Sequence, residues 1–305
     1  YHGEIDSDQP EYLSYNPSIS GLNLNFNRVL FEWETVNGLY SFKFQARSAI
    51  NNFDVSTTDV NFSKSKHKFK DNNYNGKNDT WFFDHSFLEK AKKRWLPVRN
   101  PDNYAAELFW IIADKKGIEL PKPEIRHYPN KGKVLAKAES EPLFNNIQLM
   151  LKYSNNLLSE IVGLSATKKF SGDKKEIKAS ANIMGSWLEN KIGNSQGNFS
   201  DHSGLGVGSM MSSHELIRFL KNPEWHASTI NLMQNFKIKK TQSSTLKSYT
   251  NFIKAKTGTL NYVGNTAGYI ETKSGRKLLF VILGSNLEQR NRLNKRDRDN
   301  PPEAK

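Results

Sequence analysis

The chain has 305 residues, enough for one large or two ordinary domains with a buried core. Its 44 Lys and Arg residues against 31 Asp and Glu residues give a net charge of +13, which favours contact with polyanions, although scattered lysines are also typical of a merely soluble protein. The absence of cysteine excludes disulfides, thiolate nucleophiles and Cys-based zinc sites. No apolar run is long enough for a transmembrane helix. The sequence begins at Tyr1, without the features of a signal peptide and without an initiator Met. We therefore expect a processed product or a fragment.

Alternating apolar residues predict strands in the first part of the chain. Residues 22–26 and 29–33 alternate on either side of Asn27-Arg28, which predicts a hairpin with its turn at that pair. Residues 40–44 alternate in the same way and extend the sheet. Residues 61–80 are mostly Lys, Asn, Asp and Ser, which predicts an exposed loop.

The next part of the chain has the sequence signals of a helix. Asn100-Pro101 predicts a helix start and Gly117 its end, because Asn is favoured as a cap and Pro at the first helical position. Tyr104, Leu108, Ile111 and Ile112 form the apolar face of this predicted helix.

Four further helices are expected in the middle of the chain. Residues 143–151 and 157–164 carry apolar side chains at helical spacing, so two helices flank residues 154–156. A third includes residues 183–188, and a fourth begins at Ser212, where Glu215 completes a capping box.

The last part of the chain returns to strands. Residues 252–257, 266–272 and 277–283 predict an antiparallel meander with a turn at residues 273–276. Beyond Asn286, mixed charges and prolines predict a disordered tail.

The first strand of the meander carries Lys256-Thr257-Gly258-Thr259. A lysine here can supply positive charge and a proton path, the Thr hydroxyls can bind a substrate carboxylate, and Gly258 lets an extended peptide approach the backbone. The triplet Lys-Thr-Gly arises by chance in Lys-rich chains. Its position ahead of a two-stranded meander favours the functional interpretation.

Ser154 and Asn156 lie upstream, at the junction of two predicted helices. One interpretation is a helix cap with Asn in the first turn, and Ser-x-Asn also occurs at Ser14 and Ser180. In the functional interpretation the Ser154 hydroxyl relays a proton towards a leaving group, and the Asn156 amide orients a substrate peptide. With Lys256, these residues supply two of the three elements of a serine acyl-transferase site.

In chain order these features resemble the D-alanyl-D-alanine carboxypeptidase/endopeptidases, the class C low-molecular-mass penicillin-binding proteins. The similarity extends from about residue 95 to residue 286 and is fainter before it. The matching stretches are residues 95–98, 100–106, 116–119, 150–160, 201–205, 256–260 and 267–269.

The resemblance implies an α+β fold, in which a penicillin-binding or serine β-lactamase-like transpeptidase core, an antiparallel sheet flanked by helices, carries a β-rich inserted accessory domain. We expect residues 1–130 to belong to the accessory domain, 131–288 to be the C-terminal part of the core, and 289–305 to be a charged tail. The resemblance makes Ser154, Asn156 and Lys256 catalytic. It assigns substrate binding to Thr257, Gly258, Thr259, Asp201 and Ser203.

The family's nucleophile belongs to a Ser-x-x-Lys motif that precedes the accessory domain. Chance matches occur here at Ser63, Ser65, Ser165, Ser171 and Ser244. The match at Ser165 follows the Ser-Asn-Asn helix instead of preceding it and is interpreted as a helix end. We therefore expect the nucleophile to lie outside this chain, and these 305 residues alone to be inactive.

Two residues depart from the family pattern. His202 stands where the family has Gly, and Gly206 where it has Ser. His202 brings a titratable group near the site if this segment packs there, although a lone His is more often structural. No His pair has metal-ligand spacing, so we predict no metal and no other cofactor.

The sequence thus favours a periplasmic serine-type D-Ala-D-Ala carboxypeptidase or endopeptidase that acts on peptidoglycan stem peptides through an acyl-enzyme and is acylated by β-lactams. The alternative is a non-catalytic peptidoglycan-binding module. Nucleic-acid binding is disfavoured because aromatic residues do not interleave with the lysines. The positive charge also suggests peripheral association with an anionic envelope surface.

Overall fold

A computed structural model describes residues 2–48, 51–63, 69–70, 78–89, 92–124, 133–236 and 250–293. The chain forms two compact units, Tyr1–Ala138 and Glu139–Lys305. The sequence placed the division at residues 130 and 131, eight residues earlier than the structure does. The assignment of the two parts to an accessory domain and a catalytic core stays a prediction.

The first unit contains two sheets and a helix. In the first sheet the strand order is β3 (Asn52–Asp54), β2 (Leu39–Arg47), β1 (Arg28–Val36) and β7 (Lys93–Pro97), and in the second it is β4 (Thr58–Ser63), β6 (Asp79–Asp84) and β5 (Phe69–Lys70). Helix α1 (Pro101–Lys115) follows β7. The core of this unit is aromatic, and its most deeply buried members include Phe31, Trp81, Phe83, Leu96 and Tyr104.

The predicted hairpin turn at Asn27-Arg28 is wrong. Arg28 begins β1, and Asn27 is buried in a short 3-10 helix, where its Nδ2 donates to the Ser18 carbonyl at 2.8 Å. The hairpin joins β1 to β2 through Asn37 and Gly38, which have φ of 51° and 80°. Asn and Gly tolerate these left-handed angles, so Asn-Gly was the stronger hairpin signal.

The predicted exposed loop at residues 61–80 is wrong at both ends. Strands β4 and β6 pair in parallel there, so residues 61–63 and 79–80 belong to a sheet, and Asp79 is buried. The alternation of buried and half-buried residues along β6 is the pattern of a strand with one face on the core. Residues 64–68 and 71–77 of that stretch, with Ser65, lie outside the described residues.

Helix α1 is confirmed, with Pro101 at its first position and Gly117 at φ 75° beyond its end. Tyr104 and Leu108 are buried as predicted, but Ile112 is exposed. The Asn100 side chain does not cap the helix.

The second unit combines helices with one antiparallel sheet, so the predicted helices and meander are confirmed. The helices are α2 (Leu143–Tyr153), α3 (Asn156–Ser171), α4 (Ile177–Ile192), α5 (Ser213–Lys221), α6 (His226–Leu232) and α7 (Leu287–Arg292). The sheet order is β11 (Lys277–Ser285), β10 (Val263–Thr272), β9 (Thr250–Leu260) and β8 (Gln234–Asn235). Helix α5 packs on this sheet through Leu220, which joins Ala267 and Tyr269 in a buried cluster.

The predicted disorder beyond Asn286 is wrong for helix α7. The Asn286 side chain caps this helix by accepting from Gln289 N at 3.1 Å, and buried Arg290 donates to the Asn261 carbonyl at 3.0 Å. Residues 294–305 and Ser244 lie outside the described residues. In the part of the chain that is described, no helix has the length and apolar character needed to span a bilayer.

The capping box predicted at the start of α5 is confirmed. Ser212 Oγ accepts from Glu215 N at 3.2 Å, and the Glu215 carboxylate accepts from Ser212 N at 2.8 Å. The same carboxylate accepts from Gln196 N at 2.6 Å and from Ser195 Oγ at 2.8 Å. These hydrogen bonds, chiefly those from Ser212, lower the pKa of Glu215 to about 2.

A Glu215→Gln substitution should therefore remove an acid-sensitive part of the folding free energy. A depressed folded-state pKa contributes stability that is present above the ordinary value of 4.5 and is lost as the pH falls towards about 2. Urea unfolding followed between pH 7 and pH 3 should show a shallower pH dependence for the variant than for the wild type. Glu224→Gln, at a surface carboxylate that pairs with Lys191, is the control and should keep the wild-type slope. Equal slopes for wild type and Glu215→Gln would contradict the assignment.

Candidate active site

The junction of α2 and α3 is short and sharply turned. Ser154 ends α2 in the left-handed conformation, with φ 49° and ψ 52°. Asn155 caps α3, because its Oδ1 accepts from Leu158 N at 2.9 Å. The interpretation of Ser154 as the N-terminal cap of α3 is therefore wrong, although Asn156 does lie in the first turn of that helix. The Ser154 hydroxyl is available for other partners.

The partner of Ser154 is Lys256 on β9. Lys256 Nζ donates to Ser154 Oγ at 2.5 Å, and it also donates to the Thr257 carbonyl. Lys256 is half-buried, and this burial lowers the pKa of its ammonium below the ordinary value of 10.5. The structure thus brings together two of the predicted catalytic residues across a long stretch of sequence.

This pair can move a proton. An ammonium group only donates, so Ser154 Oγ accepts from Lys256 and its own O–H is left to donate to a third group. A proton that leaves Ser154 can be replaced from Lys256. The geometry suits general acid catalysis at a leaving group above Ser154.

The rest of the Lys-Thr-Gly-Thr motif follows along β9. Thr257 and Thr259 follow Lys256 on the same strand, and both are exposed. Strand β8 pairs with β9 only at Lys254 and Ala255, so among the described residues no strand covers the outer edge of β9 beyond them.

Gly258 leaves room beside the strand. Within the described ranges, a Cβ at this position would have only Asn265 Cβ nearby, at 3.9 Å. An extended peptide could therefore add to this edge of the sheet. Asn156 is the first residue of α3, two residues after Ser154, and is half-buried.

Asp201 and Ser203 lie in the loop between α4 and α5. Asp201 is buried, and its carboxylate accepts from Gly204 N at 2.5 Å and from Gly206 N at 2.7 Å. A Cβ at Gly206 would lie 2.6 Å from Asp201 Oδ2, which explains why this loop has glycine there. These contacts fold the loop itself, and the substrate-binding role of Asp201 and Ser203 stays a prediction.

Sequence reasoning missed Glu160, which ties this loop to α3. Glu160 is 0% exposed, and its carboxylate accepts from Ser203 N at 2.8 Å and from His202 N at 3.1 Å. Glu160 falls in line with Leu157, Ile161 and Leu164 on one face of α3. An acidic residue within an apolar helix face was the signal that could have identified it.

His202 packs against Gly163 of α3. A Cβ on Gly163 would lie only 2.0 Å from His202 Cδ2 and 2.2 Å from Cγ, so the imidazole occupies the space that any larger side chain would need. In the described part of the chain, no group of three or more His, Cys, Asp or Glu side chains could hold a metal ion.

Comparison with solved structures identifies the fold. The crystal structure of penicillin binding protein 4 (dacB) from Haemophilus influenzae has a TM-score of 0.68 and 19% identity, covering 93% of this chain and 65% of that one. A second structure of that protein, complexed with a novel β-lactam, has a TM-score of 0.68 and 17% identity, covering 90% of this chain and 65% of its own. The chain has a penicillin-binding-protein fold.

Sequence comparison then gives the family. Residues 4–300 match the model of the D-Ala-D-Ala carboxypeptidase 3 (S13) family, and the chain belongs to that family of serine carboxypeptidases. It is 26% identical over 196 residues to the D-alanyl-D-alanine carboxypeptidase DacB of Haemophilus influenzae, a match that covers 60% of this chain. The matched part spans 40% of the length of that relative.

The contact between Gly163 and His202 predicts that Gly163→Ala destabilises the second unit by about 1–3 kcal/mol, because the imidazole must be displaced. Gly185→Ala is the matched control, since a Cβ there would meet Phe199 at 3.4 Å and alanine favours a helix interior by about 0.5–1 kcal/mol. Urea unfolding of both variants measures the difference. In a His202→Gly background the cost of Gly163→Ala should disappear. A cost that persists there would show that the imidazole is not the obstacle.

Proposed function

We propose that the full-length protein is a periplasmic serine-type D-Ala-D-Ala carboxypeptidase or endopeptidase that acts on peptidoglycan stem peptides through an acyl-enzyme and is acylated by β-lactams. The observation that carries the proposal is the 2.5 Å contact between Lys256 Nζ and Ser154 Oγ. It joins the two sequence motifs of this chain into one proton-transfer pair beside an open strand edge.

The nucleophile is proposed to lie outside these 305 residues. Ser165 and Lys168 form a Ser-x-x-Lys pair, but they lie far along α3 from Ser154, roughly 15 Å at the rise of a helix. Ser171 Oγ donates to the Thr167 carbonyl at the end of the same helix. Neither serine is near the Ser154–Lys256 pair.

In the proposed reaction, the external serine attacks the carbonyl carbon of the penultimate D-Ala while its paired lysine takes the serine proton. The peptide C–N bond then breaks, Ser154 gives its proton to the leaving amine, and Lys256 restores the proton on Ser154. Asn156 orients the substrate peptide. Water then attacks the ester: its hydroxyl is added to the released acid and its hydrogen returns to the serine, while the proton on the paired lysine passes back to Lys256.

The substrate is proposed to bind along β9. The Thr257 and Thr259 hydroxyls hold the terminal carboxylate, and the open space beside Gly258 lets the stem peptide approach. Asp201 and Ser203 support the substrate side of the site through the loop that Asp201 folds. The net charge of +13 favours peripheral contact with anionic envelope polymers.

Substitution of the proton-transfer pair should abolish acylation. In the full-length protein, Lys256→Ala and Ser154→Ala should each lower the rate constant for labelling by a fluorescent penicillin by roughly 10²–10⁴-fold, because the leaving nitrogen loses its proton donor. Lys254→Ala is the control, since Lys254 lies on the same strand and donates to the Ile230 carbonyl. The present 305 residues alone should show no adduct.

Two results would reject this function. One is full-length protein that forms no penicilloyl adduct but sediments with purified sacculi in a salt-sensitive way, which would identify a non-catalytic wall-binding module. The other is a Lys256→Ala variant that is labelled as fast as Lys254→Ala. Turnover of a D-Ala-D-Ala peptide by the 305 residues alone would refute the external nucleophile.

The lowered pKa of Lys256 predicts how the acylation rate changes at alkaline pH. Because the ammonium form donates the proton, the acylation rate should fall with rising pH, and it should do so below 10.5, the ordinary value for lysine. Lys256→Arg keeps its charge throughout this range, so its rate should be lower but independent of pH on the alkaline side. Stopped-flow acylation from pH 7 to pH 10.5 measures both. If the acylation rate fell with pH in the same way in both proteins, another titrating group would be responsible for the fall.

A further inference from the structure

Beyond the residues of the proposed reaction, a buried chain of four polar side chains joins α3, α4 and the loop that contains His202. His202 Nδ1 lies 2.8 Å from Glu160 Oε2, and His202 Nε2 lies 3.0 Å from Ser180 Oγ. Ser180 Oγ lies 2.6 Å from Thr167 Oγ1. The His202 side chain is 4% exposed and Ser180 is 0% exposed.

The order of carboxylate, imidazole and hydroxyl is that of a hydrolytic triad, but its use must differ. Ser180 is fully buried at the start of α4, so no substrate carbonyl can reach its hydroxyl. The arrangement instead fixes the position and orientation of the imidazole. A carboxylate oxygen accepts, which makes Nδ1 the donor to Glu160. Ser180 Oγ donates its single hydrogen to Thr167 Oγ1, so Nε2 lies against the Ser180 oxygen without receiving that hydrogen.

The ring is held on its remaining side by backbone. It lies over Gly163, one turn along α3 from Glu160, and the backbone N–H of His202 also donates to Glu160. His202 is therefore fixed to α3 through its main chain, its ring nitrogen and its ring face. Through Ser180 it also fixes α4.

A displacement of α3 would change the position of Ser154 relative to Lys256. Only Ser154 and Asn155 separate α2 from α3, and Asn155 is committed to capping α3. The short connection cannot absorb a shift of the helix, so Ser154 and Asn156 would move with it. A displacement of about 1 Å in a catalytic group is enough to cost roughly a hundredfold in rate.

We infer that His202 is a positioning residue for the acyl-transfer site, acting chiefly through Glu160, with Ser180 as a second contact, to hold α3 so that Ser154 meets Lys256. This inference rests on the proposed function, because it assigns His202 a role in the same reaction. It also gives a use to the residue that stands where the family pattern has glycine.

The test uses variants that keep either the contact with Glu160 or the contact with Ser180. In the full-length protein, His202→Asn retains a donor near Nδ1 for Glu160, whereas His202→Gln reaches towards Ser180 and His202→Ala retains neither. Acylation by a fluorescent penicillin, measured below the melting temperature of every variant, should fall roughly 10–100-fold for Ala and Gln and less than threefold for Asn. The loss should appear in the acylation step and not in the affinity for the penicillin. His214→Ala, at an exposed histidine on α5, is the control and should react like the wild type.

Nitrogen-15 NMR of the His202 ring gives a readout that a merely structural role does not share. Nδ1 should carry a hydrogen in the wild type, and Glu160→Gln should change the Nδ1 signal together with the acylation rate. A His202→Ala variant that is folded and acylated at the wild-type rate would overturn the inference and leave the proposed function intact. Wild-type protein that is never acylated would reject the proposed function, and this inference with it.

Discussion

The candidate site depends on one hydrogen bond, between the Lys256 ammonium and the Ser154 hydroxyl. Ser154 is an exposed helix end, and Lys256, apart from its bond to the adjacent Thr257 carbonyl, extends from a strand edge that no other described strand covers beyond residue 255. Their contact therefore depends on how accurately the helices and the sheet of the second unit are placed. The stability of that unit and the competence of the site have a common origin.

Buried carboxylates provide much of that placement. Glu160 binds the N–H groups of residues 202 and 203, Asp201 those of residues 204 and 206, and Glu215 those of residues 196 and 212. Each carboxylate accepts from backbone donors that a loop could not otherwise satisfy away from water. Hydrogen bonds to a charged group are stronger than neutral ones, at about 1.5–3 kcal/mol each, and a carboxylate left without them would be costly to bury. The irregular segment between α4 and α5 is thus anchored by hydrogen bonds to three carboxylates.

The sequence predicted elements well where one local period dominates. Helical spacing located α2 to α5, and alternation located β9 to β11, because each of these patterns reflects one buried face. It failed where a tertiary contact overrides a local preference. Asn27 favours a turn, yet it is buried and donates to Ser18, and residues 61–63, at the start of a mostly polar stretch, pair with β6.

The candidate site shows the same division. Ser154 and Lys256 were recognisable because their motifs flank regular elements, although the capping role of Asn155 was not. Asp201 was expected at the substrate, a role that stays a prediction, and the structure shows the hydrogen bonds by which it folds its own loop. Glu160 and Ser180 could not be assigned from the sequence, because their meaning depends on a histidine some twenty to forty residues away.

Gly163 and His202 show why a single position can mislead. An isolated histidine in a loop carries no sign of burial, and a glycine within a helix suggests only a weak point in that helix. Together they form one feature, because the imidazole fits against α3 only where Cβ is absent, and the absent side chain is replaced by the packed ring. The glycine costs helix propensity, about 1 kcal/mol relative to alanine, and the buried ring with its bonds to Glu160 and Ser180 offsets that cost. A loop residue and a helix residue therefore have to be considered as a pair before either can be assigned a role.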